Sequence, residues 1–401
     1  MINKISWPWV LGIGTVVLLI LAPYLGLQSN PYLMHLAIVG FWYAILASSW
    51  SLLAGYAGQF SFGHMAFMSI GAYGAGLYGR FIRITSAPTM TCTEYAFGSK
   101  WLVILNPTGV TSRSIDCLDI AKETTLAAGT SIIQPPVWIG ILIGITLGAV
   151  FGFLVGALVL RLRRTYLALF TIGFSEILRA VISAEIPITE GQSGLEMLPL
   201  FPSGVTIFGI FYSSTAKIPP YFVMLALFLL SMALMGWLAS SRFGLFIRAI
   251  REDEEAAAAL GVNIVRYKIL VFVITATIVA AAGAVQGHYI GIITPNILLI
   301  LQMSLVIAMA VIGGLENIVS AAIGAILIEF SLELLRGASF TIGSYTVEMI
   351  TWRLVMFGLL LMVTLRFQRN GLIHPIINYF TRQNVAAETV AKRQAAPSGE
   401  S

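Results

Sequence analysis

The sequence predicts an all-α polytopic membrane protein with about ten transmembrane helices, and three observations carry that prediction. Hydrophobic residues fill 58% of the 401 positions and charged residues only 10%, where a soluble domain carries about a quarter charged. Apolar runs long enough to cross a hydrocarbon layer of about 30 Å recur along the chain. The charges that do occur gather between those runs, with a modest net of +5. Because the basic residues sit at run ends and not in an aromatic-interleaved patch, nucleic acid is excluded as a partner. No Gly-x-x-x-x-Gly-Lys-Ser/Thr loop occurs, so this chain is expected to hold no cofactor of its own. No His-x-x-x-His or Cys-x-x-Cys spacing supports a metal site, and no nucleophile–base arrangement supports an enzyme.

Expected spans lie at 10–27, 33–54, 65–80, 137–160, 166–184, 221–238, 268–287, 299–312, 318–335 and 348–365. The first has no small-x-small cleavage site and reads as a retained span. After the second comes Gly55-Tyr56-Ala57-Gly58-Gln59-Phe60-Ser61-Phe62-Gly63-His64, too polar and glycine-rich for a lipid-facing helix. Two readings stand: a surface turn, or a re-entrant element lining a translocation path through Gly58, Gln59, Ser61, Gly63 and His64. In the third span, Gly74-Ala75-Gly76-Leu77-Tyr78-Gly79 formally matches a dinucleotide fingerprint, but no strand precedes it. Gly71, Ala75 and Gly79 instead make a small-residue face for helix packing.

Residues 82–136 form a polar insert that holds both cysteines. If the insert is extracytoplasmic, Cys92 and Cys117 can form a disulfide that stabilises it by roughly 3–4 kcal/mol; two free thiols are the alternative. The fourth span carries Gly140, Gly144, Gly148, Gly152 and Gly156 on one stripe, again for packing. The fifth holds Glu176 and Arg179, three apart on one face, as a structural ion pair or as pathway lining. Gly287, Gly291 and Pro295 are expected to break the seventh span from the eighth. Glu329 and Arg353 are a candidate interhelical pair between the last two spans. The tail from 383 to 401, rich in Ala, Gln, Glu and Ser, is expected to be disordered.

Residues 240–267 are the only long stretch dense in both signs of charge. Arg251, Glu252, Asp253, Glu254 and Glu255 run into Ala256 and Ala257, and Gly261 follows. Acidic residues favour a helix N-terminus and a glycine just past the last turn stops it, so a short water-exposed helix is predicted here. Fourteen Lys and Arg fall on the side of this segment and of both termini, against seven on the other; that asymmetry makes its side cytoplasmic and puts the cysteines outside.

The order of those residues also resembles a known family. Glu255-Ala256-Ala257 with Gly261 is similar to the Glu-Ala-Ala-x-x-x-Gly signature of ABC importer permeases. Ser241-Arg242-Phe243-Gly244, Arg248 to Glu254, Leu260-Gly261-Val262-Asn263 and Arg266-Tyr267-Lys268 resemble the branched-chain amino-acid permeases of the LivM type, with the urea permeases as relatives. Gly-Gln-x-Ser-x-Gly-His at 58–64 is shared with that family, which favours the path-lining reading. Departures occur at Glu190, Glu316, Ser320 and Ala321.

The resemblance implies a large ABC-importer permease fold over residues 1–382 in the inner membrane of a prokaryote. It implies a coupling helix that docks on an ATPase, two ATPase subunits that bind the ATP, a second homologous permease and an extracytoplasmic binding protein. Apolar amino acids are the expected cargo, with urea or short amides second. An ion-gradient carrier using Glu176, Glu329 and Glu333 is the rival from another class.

Overall fold

The computed structural model describes residues 7–79, 81–84, 93–97, 100–104, 132–133, 135–159, 164–207, 209–336, 339–342, 345–368 and 371–372. Helices occupy all ten stretches expected to span: α1 (Trp7–Leu21), α2 (Pro31–Trp50), α3 (His64–Gly79), α4 (Val137–Val159), α5 (Arg164–Ala184), α6 (Ile218–Ser240), α9 (Ile264–Ile290), α10 (Ile300–Gly313), α11 (Ile318–Arg336) and α12 (Met349–Phe367). Two further helices, α7 (Arg242–Glu252) and α8 (Glu254–Ala259), lie in the charged segment. Among the described residues six helices are long and apolar enough to cross a membrane, while α1, α3 and α10 are shorter, at 15, 16 and 14 residues.

Strands are short. In the insert, β1 (Phe81–Ile84), β2 (Thr93–Phe97), β3 (Lys100–Ile104) and β4 (Ile132–Ile133) form an antiparallel sheet in the order β2-β3-β1-β4. Both cysteines lie outside the described residues, as does the tail at 383–401. β5 (Leu195–Glu196) pairs with β8 (Ile292–Ile293), and β6 (Val205–Ile207) makes a hairpin with β7 (Ile210–Tyr212). Beyond α11, β9 (Ser339–Ile342) and β10 (Tyr345–Glu348) form a last hairpin.

The core is built on α2, α3 and α9. Trp50, Phe67 and Phe272 are each about 1% exposed, and the rings of Phe67 and Phe272 meet edge to face at 5.4 Å. Both glycine stripes do the packing predicted for them. A Cβ at Gly71 would collide with the Ala280 backbone, and one at Gly144 with the Gly71 carbonyl. Gly148 and Gly152 face Ala280 and Ala276 in the same way, so α4 lies against both α3 and α9 with little between the backbones.

One expected boundary moves. Helix α9 runs through Gly287 and ends only at Ile290, where Gly291, at φ +85°, supplies the left-handed stop that Gly287 does not.

Candidate functional site

At one end of the bundle, α2 loosens over Ser51–Tyr56 into a wider π-helical turn, and the irregular stretch 57–63 leads into α3. The charged segment lies against this same end.

Helix α7 is amphipathic. It buries Gly244, Ile247 and Ile250 against the bundle, while Phe243 and Phe246 hold the Tyr267 ring at centroid distances of 5.7 and 5.1 Å. Two of its basic residues, Arg248 and Arg251, reach inward. The Arg248 guanidinium lies 4.5 Å over the Tyr56 ring, and Arg251 donates to the Gly55 carbonyl and pairs with Glu316 and Glu252.

Asp253 then turns the chain. Its extended backbone ends α7, and its carboxylate accepts from the N–H groups of Glu255 (2.9 Å) and Ala256 (3.0 Å) to cap α8. Gly261, at φ +83°, closes α8: its N–H donates to Ala258 and that of Val262 to Ala257, satisfying carbonyls that the helix leaves open. Asn263 caps α9 by accepting from Arg266 at 3.0 Å. Lys268, with a side chain 10% exposed, reaches back to Glu254 at 2.7 Å.

Helix α8 is thus fixed at both ends yet open to solvent. Only Ala257 is buried; Glu252, Asp253, Glu255, Ala256 and Gly261 are exposed, and Leu260 is 85% exposed. A large apolar side chain thus stands at the tip of an acidic, alanine-lined protrusion. Among the described residues no group of His, Cys, Asp or Glu could hold a metal ion.

Beneath it lies the glycine-rich loop. Of residues 55–64 only Phe60 is exposed, so the loop is no simple surface turn. Gly58, at φ +66°, abuts the Arg251 side chain, and the Gln59 amide donates to the Lys268 carbonyl at 3.4 Å. The Trp50 indole N–H donates to the Ser61 carbonyl at 2.8 Å, the Ser61 hydroxyl accepts from Gly63, and the Phe62 N–H is taken by Thr171. These bonds satisfy backbone that no helix serves. Gln59 Oε1 has no partner among the described residues, and the buried His64 ring, beside the Ser49 carbonyl, makes no hydrogen bond of good geometry.

Sequence reasoning treated the loop and the charged segment as separate features, and the fold joins them. A cavity of about 240 Å³ between them is lined by Gly55, Tyr56, Arg248, Arg251, Glu252 and Glu316. Glu316 and Tyr56 were missed as members of this site. The available signal for Glu316 was its standing as a departure in the turn after α10.

Comparison with known proteins now bears on this arrangement. Residues 32–365 match the family described as branched-chain amino acid transport system / permease component. This chain belongs to that family. Its relatives include the "High-affinity branched-chain amino acid transport system permease protein LivM" of Escherichia coli K12, 26% identical over 88% of this chain and 72% of the relative. The protein of the same name in Salmonella typhimurium is 30% identical over 49% and 51%. The permease protein LivH of Escherichia coli K12 is 30% identical over 50% and 63%. No solved structure matches. The chain is therefore a multi-pass membrane permease of the ABC importer class, a transport component and not a member of a catalytic family.

Proposed function

We propose that this permease is the membrane-spanning subunit of an ATP-driven importer that carries branched-chain or other apolar amino acids across the inner membrane of a prokaryote. Two separate ATPase subunits hold the ATP, a second homologous permease completes the passage, and an extracytoplasmic binding protein delivers the cargo. The end carrying α7 and α8 faces the cytoplasm together with both termini.

The observation that carries this reading is α8 itself: exposed on nearly every side, yet tied to the bundle by Arg251 and by the Lys268–Glu254 pair. An ATPase gripping Glu255, Leu260 and Gly261 pulls through those ties on the end of α2, on the loop at 55–63 and on the start of α9. Movement of that loop opens and closes the inner end of the path, in the manner of alternating access. Gln59 Oε1 and the His64 ring, which find no well-placed partner among the described residues, support a path there, since such buried polar atoms are served when water or cargo reaches them in another state.

The test is transport by the purified complex in proteoliposomes. Leucine uptake that needs internal ATP and the binding protein is the expected result. Uptake driven by an ion gradient with ATP absent sinks the reading, and uptake of urea in place of leucine changes the cargo.

A further inference from the structure

Helices α2 and α6 begin, and α9 ends, at the opposite end of the bundle from the charged segment. His288 stands about 30 Å along α9 from Lys268, at 1.5 Å per residue. Among the described residues a cavity of about 250 Å³ lies at that end.

Its walls divide by chemistry. Leu200, Phe201, Pro220 and Ile290 are apolar. Ser213, Ser214 and Thr215, which follow β7, bring three exposed hydroxyls, and those of Ser213 and Thr215 meet at 3.1 Å. Lys217 comes next; its ammonium donates to the Pro31 carbonyl at 3.1 Å, which uses one of its three protons. From α2 and α9 come His35 and Tyr289, joined by a hydrogen bond of 2.6 Å, and His288. His288 Nδ1 lies 2.7 Å from the Leu198 carbonyl, which can only accept, so that nitrogen carries the proton. Nε2 of the neutral ring is then a bare acceptor, and it has no partner among the described residues.

That composition selects a ligand. No carboxylate lines the cavity among the described residues, so Lys217 is its one fixed formal charge. An ammonium beside three hydroxyls suits a small anion. Inorganic phosphate would leave the apolar walls without a partner, and urea brings no charge to the lysine. An amino acid with an apolar side chain answers both parts: its carboxylate meets Lys217 and the hydroxyls, and its tail meets Leu200 and Phe201. Its own ammonium finds acceptors on α9, the Tyr289 hydroxyl first.

We infer that this cavity is where the permease receives free apolar amino acids, with Lys217 holding the carboxylate. The inference deepens the proposed importer reading and rests on it, because this end faces outward only if the charged segment faces the cytoplasm. It also favours amino acid over urea as the cargo.

The test uses the assembled importer in nanodiscs of phosphatidylcholine, without the binding protein. Saturation-transfer NMR, which reports even millimolar binding, follows leucine. A leucine signal is expected that isovalerate competes away and that isoamylamine and urea do not, since only isovalerate keeps the carboxylate. Lys217→Met should weaken binding about tenfold, as for the loss of one charge-assisted hydrogen bond, and Lys217→Arg should restore most of it. Lys217 also ties α6 to α2, so Ser214→Trp is the second variant. It fills the cavity from an exposed position, leaves the tie intact and should abolish the signal. Leucine binding unchanged in either variant overturns the inference, as does competition by isoamylamine or by inorganic phosphate equal to that of isovalerate. Displacement of leucine by added phosphatidylglycerol and not by isovalerate would mark a lipid-headgroup site and overturn it too. If the unmodified importer shows ATP-driven leucine uptake but no leucine signal, the cavity is not the receiving site and the importer reading stands. If leucine binds as expected but no ATP-driven uptake follows, the importer reading falls and the cavity remains an amino-acid site.

Discussion

Arg251 and Gly55 lie 196 positions apart, and the guanidinium of the first donates to the carbonyl of the second. That bond joins the charged segment to the loosened end of α2. Gly55 also lets the turn after α10 come close, since a Cβ there would fall onto the Leu315 carbonyl. Gly55→Ala is therefore expected to destabilise the fold by about 1–3 kcal/mol, the range for overpacking. Gly236→Ala, in open space on α6, should instead be neutral or gain about 0.5–1 kcal/mol. Thermal unfolding of both variants in detergent checks the contrast.

Gly261 tests the docking role. A valine there must hold φ near +83°, which costs about 1–3 kcal/mol for a β-branched residue and distorts the end of α8. Apart from its chain neighbours, no described residue comes within 4 Å of where a Cβ would sit, so insertion and assembly should be preserved. Gly261→Val is expected to leave membrane levels unchanged and to separate ATP hydrolysis from uptake. Full uptake by this variant would count against α8 as the coupling element.

The Lys268–Glu254 pair braces α8 against α9. Glu254→Gln leaves a largely buried ammonium short of its counter-charge, and Lys268→Met removes that demand. We expect Glu254→Gln to lose about 1–3 kcal/mol, with part of the loss recovered in the double variant. A double-mutant cycle on unfolding reads the coupling, and an additive result would show the pair to be idle.

On α11, the sequence offers Glu329 as a candidate partner for Arg353; the fold brings Glu333 to Arg353 at 3.8 Å, while Glu329 feels the same charge without a direct ion pair. Glu333 also accepts from Tyr32 at 2.7 Å and pairs with Arg336 at 3.0 Å. Glu333→Gln should weaken the α2–α11–α12 contact by about 1–3 kcal/mol, while Glu329→Gln, removing a part-buried charge with no hydrogen-bond partner among the described residues, should be neutral or stabilising. Melting in lipid nanodiscs separates the two.

What was legible in the sequence was what depends on near neighbours. Long apolar runs place helices because the hydrocarbon layer demands them, the acidic residues and Gly261 mark α8 because start and stop signals act within a turn, and the glycine stripes of α3 and α4 mark close packing because i, i+4 positions share a face. The extent of the core was not written that way, nor was the union of the 55–64 loop with Arg248, Arg251 and Glu316. Those contacts link residues tens to hundreds of positions apart, and no spacing rule encodes them. Whether Glu329 or Glu333 meets Arg353 turns on the rotation of α11 about its own axis, which only packing against α2 and α12 sets. The sequence by itself determined that this chain crosses a membrane many times and carries a short acidic helix between two spans. Only the tertiary structure decided what that helix is fastened to, because a guanidinium finds its carbonyl through the folded bundle and not along the chain.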